Sequence, residues 1–119
     1  RYWHRIMPEV FKVAMLLVCF HGDCTRFESA PYSRDLSQEF CRKMLVYTFQ
    51  TQVGPYYDKI IDFEKDSPED IKITYAGCDV TQRRPDIDND WRITPNADPE
   101  HIIPDQNNLR WQQEKGQDL

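Results

Sequence analysis

The feature that most constrains this chain is an uninterrupted apolar run, Val13–Phe20, near its amino-terminal end. Apolar residues within this run and before it recur at steps of three and four, which is the period of an α-helix. We therefore predict a helix that starts near Pro8, since proline is tolerated in a first turn, and ends at His21–Gly22, since glycine often follows the last helical residue. The predicted partner-binding face of this helix comprises Trp3, Val10, Val13, Leu17 and Phe20.

The same run raises the question of a membrane span. A spanning helix needs about 20 predominantly apolar residues, whereas this run is much shorter and is preceded by the charged residues Glu9 and Lys12. These features favour a buried core helix. The alternative is a short membrane-contacting segment with Arg1 and Arg5 at the interface.

A second helix is predicted between a cap at Ser33 or Asp35 and a stop at Gly54–Pro55. Asp35 followed by Gln38 resembles a capping box. The two helices would pack as an antiparallel hairpin and bury their apolar stripes against each other. The main stripe consists of Leu36, Phe40, Met44, Tyr47 and Thr51, with Cys41, Leu45, Thr48 and Gln52 beside it.

The next segment contains conflicting local signals. Residues Tyr56 to Glu64 suit a short third helix with Pro55 in its first turn. The residues from Ser67 to Asp70 have the composition of a helix start, but Ile71 to Tyr75 alternate with the period of a strand. We predict one helical turn at 68–70 and an extended stretch at 71–75, whose strand partner lies on another protein because none is obvious in this chain.

Helical periodicity ends near Val80, and prolines then recur every five to ten residues. We therefore divide the chain into a helical segment, 1–79, and an extended interaction tail, 80–119. Plain disorder is the alternative, but disordered chains are poor in aromatic and β-branched residues, and tryptophan is enriched at binding hot spots. The predicted partner-binding anchors of the tail are Trp91, Ile93, Ile102, Ile103, Leu109 and Trp111.

Four cysteines are present, at Cys19, Cys24, Cys41 and Cys78. The first interpretation is reduced, partly buried thiols. The second is one disulfide that closes the predicted hairpin, joining Cys41 to either Cys19 or Cys24. The chain begins at Arg1, as a processed chain or a fragment would.

The charge and the motifs argue against several classes of function. A net charge of −5 without a basic stripe disfavours nucleic-acid binding. Residues 86–90 resemble the start of a calcium loop, but Trp91 and Ala97 replace the required glycine and glutamate. His21 with the cysteines lacks the second half of a zinc motif. We predict no catalytic, cofactor-binding or metal site.

These patterns predict a mainly α fold, with two or three short helices in a hairpin, an extended tail and little or no sheet. The predicted function is a non-catalytic accessory or structural subunit that binds other subunits of a multiprotein complex. A mitochondrial or other organellar membrane complex is suggested by analogy alone. The rival interpretations are a small secreted, disulfide-containing helical ligand or effector, and a small metal-dependent enzyme.

Overall fold

The computed structural model describes residues 10–99, and this part of the chain is mostly β. Five antiparallel strands form a curled, half-barrel sheet, and one long helix of 21 residues packs on it. The predicted mainly α hairpin is therefore wrong. The strands are β1 (Phe11–Phe20), β2 (Asp23–Glu28), β3 (Tyr32–Ser33), β4 (Ile71–Thr81) and β5 (Arg92–Thr94).

The apolar run forms β1, the central strand, rather than a helix. Alternate residues contact two different clusters: Leu16 and Val18 lie in the core beneath the helix, and Met15 and Leu17 lie in a cluster on the other face. A strand that is buried on both faces needs apolar residues at every position. Because an unbroken apolar run fits either period, periodicity alone could not distinguish this strand from a buried helix.

His21 and Gly22 form the turn between β1 and β2 and do not end a helix. Their φ angles are 51° and 86°, both in the left-handed region, and Phe20 pairs directly with Asp23. Two consecutive residues with positive φ define a type I′ turn, whose twist matches a tight antiparallel hairpin. Glycine meets this conformational requirement at the second position.

The sheet has the order β4-β1-β2-β5, and β3 pairs with the first residues of β1. Strand β4 runs antiparallel to β1 along its whole length, with a bulge where Thr74 is left without a partner in the register. The predicted turn at 68–70 and the extended stretch after it are present, as a 3₁₀ turn (Pro68–Asp70) and β4. The strand partner, however, is β1 of the same chain.

The long helix covers 38–58 and consists of α1 (Gln38–Thr48), a π-helical turn (Phe49–Val53) and α2 (Gly54–Asp58). The side-chain oxygen of Ser37 caps it by accepting a bond from the Phe40 N–H at 3.1 Å. The predicted stop at Gly54–Pro55 does not occur. The helix widens into the π-helical turn before Pro55, where the Gly54 N–H bonds to the Phe49 carbonyl. The wider turn accommodates Pro55, which has no backbone N–H to donate.

All four cysteines form disulfides. Cys19 pairs with Cys24 across the β1–β2 hairpin, and Cys41 of α1 pairs with Cys78 of β4. Neither the reduced thiols nor the pairings with Cys41 expected from a helical hairpin occur. Both predicted pairings assumed a helical hairpin. In the structure the β1–β2 hairpin places Cys19 opposite Cys24, and the helix places Cys41 beside Cys78 of β4.

The predicted boundary near Val80 lies within β4. The described part of the predicted tail, 80–99, returns to the sheet: β5 pairs with β2, and the Ala97 N–H bonds to the Cys24 carbonyl at 2.8 Å. Within residues 10–99, no helix combines the length and the apolar character needed to cross a membrane.

Candidate protein-binding groove

An apolar groove runs between the long helix and β4. It consists of two adjoining depressions of about 290 and 360 Å³, which share Phe49 and Ile73 as lining residues. Pockets for drug-sized molecules enclose about 300–1,000 Å³ and bury most of their ligand, whereas both depressions here are open to solvent. The groove is also lined by Leu16, Leu45, Val46, Val53, Tyr57 and Ile71.

The groove exposes large apolar side chains that the core does not cover. Val53 and Tyr57 of the helix are buried against the sheet, while Val46, Phe49 and Ile73 are 55%, 42% and 49% exposed. Val46 and Phe49 lie on the flank of the helix that faces β4, and Ile73 belongs to β4 itself. Contiguous exposed apolar surface of this kind marks an interaction site more often than scattered single residues do.

Strand β4 borders the groove and forms an edge of the sheet. Within residues 10–99 it pairs only with β1, so its other side has no neighbouring strand. An unpaired edge presents backbone donors and acceptors that an extended segment of another chain can bind. The bulge at Thr74 interrupts the strand, and the two β4 residues that line the groove, Ile71 and Ile73, lie before it.

One end of the groove is acidic. Asp58 and Pro68 line it, and the segment 58–70 contains six acidic residues and two lysines. The remaining acidic side chains of the segment are exposed or half-buried at the surface. The groove therefore combines an apolar floor with negative charge at one end.

The predicted partner-binding helix face does not form. Val13, Leu17 and Phe20 are 3%, 3% and 9% exposed, because they belong to the central strand β1. Leu17 also points to the opposite side of the sheet from Phe20. Val10, immediately before β1, is half-buried, and Trp3 lies outside the described residues.

Two of the predicted tail anchors lie within the described residues. The ring of Trp91 packs edge-on against Tyr47 of α1, with 5.5 Å between ring centroids. Ile93 belongs to β5 and is 38% exposed. Trp91 thus packs on the helix at a residue that does not line the groove. The other predicted anchors, Ile102, Ile103, Leu109 and Trp111, lie outside the described residues.

Residues resembling a calcium loop are instead held by arginines. Asp86 accepts a bond from Arg84 at 3.1 Å, and Asp88 accepts from Arg83 at 3.3 Å and also pairs with Arg92. The hydrogen bond from Arg84 holds the pKa of Asp86 below its ordinary value, and that from Arg83 does the same for the pKa of Asp88. These carboxylates do not converge on a common point.

A separate polar cluster lies at the turn of the β1–β2 hairpin. The His21 Nε2 atom is 2.9 Å from Asp66 Oδ1 and 3.9 Å from Asp70 Oδ2. Hydrogen bonds from the Asp62 backbone N–H and then from His21 lower the pKa of Asp66. Among the described residues, this cluster is the arrangement that best suits a metal ion.

No protein-family model matches the sequence, and no curated protein or solved structure is detectably similar to the chain. The fold and its surface are therefore the basis of any functional assignment.

Sequence reasoning missed the groove because its two walls are distant in the chain. The helix wall contains Val46 and Phe49, and the other wall contains Ile71 and Ile73. An indication was present, since Val46 and Phe49 extend the apolar surface of the helix beyond one narrow stripe. That indication points to a groove only when β4 lies beside the helix, and the position of β4 depends on its pairing with β1.

Proposed function

We propose that this chain is a non-catalytic protein-binding domain, and that the groove holds an extended segment of a partner protein. The single observation that carries the proposal is the exposed apolar floor of Phe49, Val46 and Ile73 beside the outer edge of β4, where residues 10–99 supply no further strand. This retains the predicted role of an accessory or binding protein and replaces the predicted helix face with the groove.

The charge distribution specifies the partner segment. Apolar side chains at alternate positions would enter the groove while the backbone of the segment pairs with β4. The acidic segment 58–70 at one end favours basic residues next to those apolar positions. The occupant we propose is therefore an extended, apolar and basic segment of another protein.

The two disulfides support an oxidising compartment for this activity. Disulfides persist mainly in secreted and extracytoplasmic proteins, and here they link β1 to β2 and the helix to β4. This observation favours the secreted ligand or effector among the interpretations of the sequence.

The proposal keeps the segment 100–119, with Ile102, Ile103, Leu109 and Trp111, as a second partner-binding region.

Selection of peptides from a random display library against the native, oxidised protein tests the proposal. We expect the selected peptides to share alternating apolar residues next to lysine or arginine, and to bind more weakly as salt concentration rises. Ile73→Thr should weaken binding at least tenfold, since it removes an apolar wall of the groove but keeps a β-branched residue in the strand.

Ile87→Thr is the matched control, because Ile87 is 79% exposed and does not line the groove. The same chemical change there should leave peptide affinity unchanged. Selection of acidic peptides, failure to select any, or equal binding to the two variants would contradict the proposal.

A further inference from the structure

The side chains of His21, Asp66 and Asp70 form a cluster outside the lining of the groove, although the two aspartates also contribute charge to the acidic segment 58–70. Their candidate ligand atoms all lie within 4.8 Å of one another. Strand pairing sets this arrangement, because the β1–β4 register places Phe20 opposite Ile71. His21, which follows the last residue of β1, and Asp70, which precedes the first residue of β4, are therefore brought together although they are 49 positions apart in the sequence.

The backbone orients both carboxylates toward the histidine. Asp66 Oδ2 accepts a bond from the Asp62 N–H at 3.0 Å, which leaves Oδ1 directed at His21. Asp70 Oδ2, the oxygen nearer to His21, accepts a bond from the Ser67 N–H, also at 3.0 Å, within the capping box of the 3₁₀ turn, and as a metal ligand it would use a second lone pair. Such outer hydrogen bonds hold the ligands of a metal site in position before the ion binds.

The spacing of the atoms suits a small divalent ion. Ligand atoms about 2.0–2.2 Å from a tetrahedral zinc ion lie roughly 3.3–3.6 Å from one another. The two distances from His21 Nε2, 2.9 Å to Asp66 and 3.9 Å to Asp70, lie on either side of that range. Small rotations of exposed or half-buried side chains would bring the three atoms to coordination distance.

We propose that His21, Asp66 and Asp70 bind one divalent transition-metal ion, with Zn²⁺ as the best match. One imidazole nitrogen and two carboxylate oxygens suit zinc better than magnesium or calcium, which prefer oxygen ligands alone. Three protein ligands leave a fourth position for water. The ion would link the tip of the β1–β2 hairpin to the turns that precede β4, and it would neutralise part of the acidic segment.

Calorimetric titration of the oxidised, full-length protein with Zn²⁺ alone tests the proposal. We expect saturable binding of one ion per chain, and much weaker binding of Mg²⁺. His21→Asn should weaken zinc binding at least tenfold while keeping the turn, because asparagine tolerates the positive φ of that position. Asp66→Asn and Asp70→Asn should each weaken it by a similar factor.

Glu69→Gln is the matched control, because it removes one negative charge beside Asp70 but no atom of the cluster. Its zinc affinity should stay within about twofold of the wild type. Circular dichroism and thermal unfolding without zinc establish that each variant is folded, and the two aspartate variants test the site independently of the hairpin turn. Absence of saturable zinc binding, or binding that survives all three ligand substitutions, would overturn the proposal.

Discussion

At the scale of single residues, Arg83 connects two segments of the chain through its side-chain contacts. Its guanidinium is only 12% exposed and bonds to Glu28 at 3.1 Å and to both carboxylate oxygens of Asp88 at 3.3 Å. It also bonds to the backbone carbonyl of Asp90. The planar guanidinium group, with its several N–H donors, suits this geometry. Its hydrogen bonds connect the segment after β4 to the end of β2.

We expect Arg83→Met to lower the free energy of unfolding by about 2 kcal/mol. Breaking a fully buried ion pair costs roughly 3–5 kcal/mol, and the partial exposure of Asp88 reduces that cost. Arg83→Lys should lie between the wild type and the methionine variant, because lysine keeps the charge but loses the fork. Urea unfolding measures both, and a loss below about 0.5 kcal/mol for methionine would contradict this role.

At the scale of elements, a helix ending at Gly54–Pro55 was expected from the sequence, but the helix continues to Asp58 and its buried face was misassigned. In the main predicted stripe, Leu36 and Tyr47 are 42% and 53% exposed, whereas Cys41 and Thr48 of the neighbouring stripe are buried. Periodicity indicates that a helix has an apolar face, but two adjacent stripes differ by only a small rotation. Cys41 belongs to the stripe that faces the sheet, and its disulfide bond to Cys78 of β4 is consistent with that orientation.

The two disulfides should contribute unequally to stability. Cys41–Cys78 spans 37 positions of the sequence and Cys19–Cys24 spans 5. Loop-closure entropy then assigns them about 4 and about 2 kcal/mol. We expect replacement of the first pair by alanine to lower the unfolding free energy more than replacement of the second.

Urea unfolding of the two double-alanine variants under identical conditions provides the comparison. Each variant keeps the other disulfide, so each serves as the control for the other. Equal losses, or a larger loss for the hairpin pair, would show that chain entropy is not the main contribution of these bridges.

At the scale of the whole molecule, the curled sheet buries a tyrosine beside its central strand. Tyr32 of β3 is 8% exposed, and its ring packs edge-on against Phe40 of the helix at 4.9 Å between centroids. Burial, and secondly the negative charge of Asp79, raise the pKa of the Tyr32 hydroxyl to about 12. The folded state therefore favours the protonated hydroxyl more strongly than the unfolded chain does.

This difference predicts a loss of stability at alkaline pH. The unfolded tyrosine loses its proton near pH 10, so between about pH 10 and pH 12 the folded state binds more protons than the unfolded state. The free energy of unfolding then falls as pH rises through that window, and this contribution is fully present below pH 10. Tyr32→Phe should make the decline shallower, as measured by urea unfolding at a series of pH values.

The corresponding control is Tyr47→Phe, because Tyr47 is 53% exposed and its removal should leave the alkaline decline unchanged. An alkaline decline of the same slope in the wild type and in Tyr32→Phe would show that burial of Tyr32 is not its cause.

The sequence by itself determined the features that depend on neighbouring residues. These are the helix over the residues of α1 (capped by Ser37 and not by the predicted Ser33 or Asp35), the turn at 68–70 and the change to an extended chain at Ile71. Each rests on hydrogen bonds or periodicity within a few positions, which short stretches of sequence encode directly.

Only the tertiary structure decided the state of Val13–Phe20, the disulfide partners, the groove and the cluster around His21. An apolar run without polar interruptions has no period of its own, so its conformation follows from what covers it. Here β2 and β4 pair with both of its edges, and the helix covers one face. The β1–β4 register brings His21 to Asp70, and the packing of the helix beside β4 brings Cys41 to Cys78 and Phe49 to Ile73. Contacts between distant residues such as these depend on register and packing rather than on local pattern.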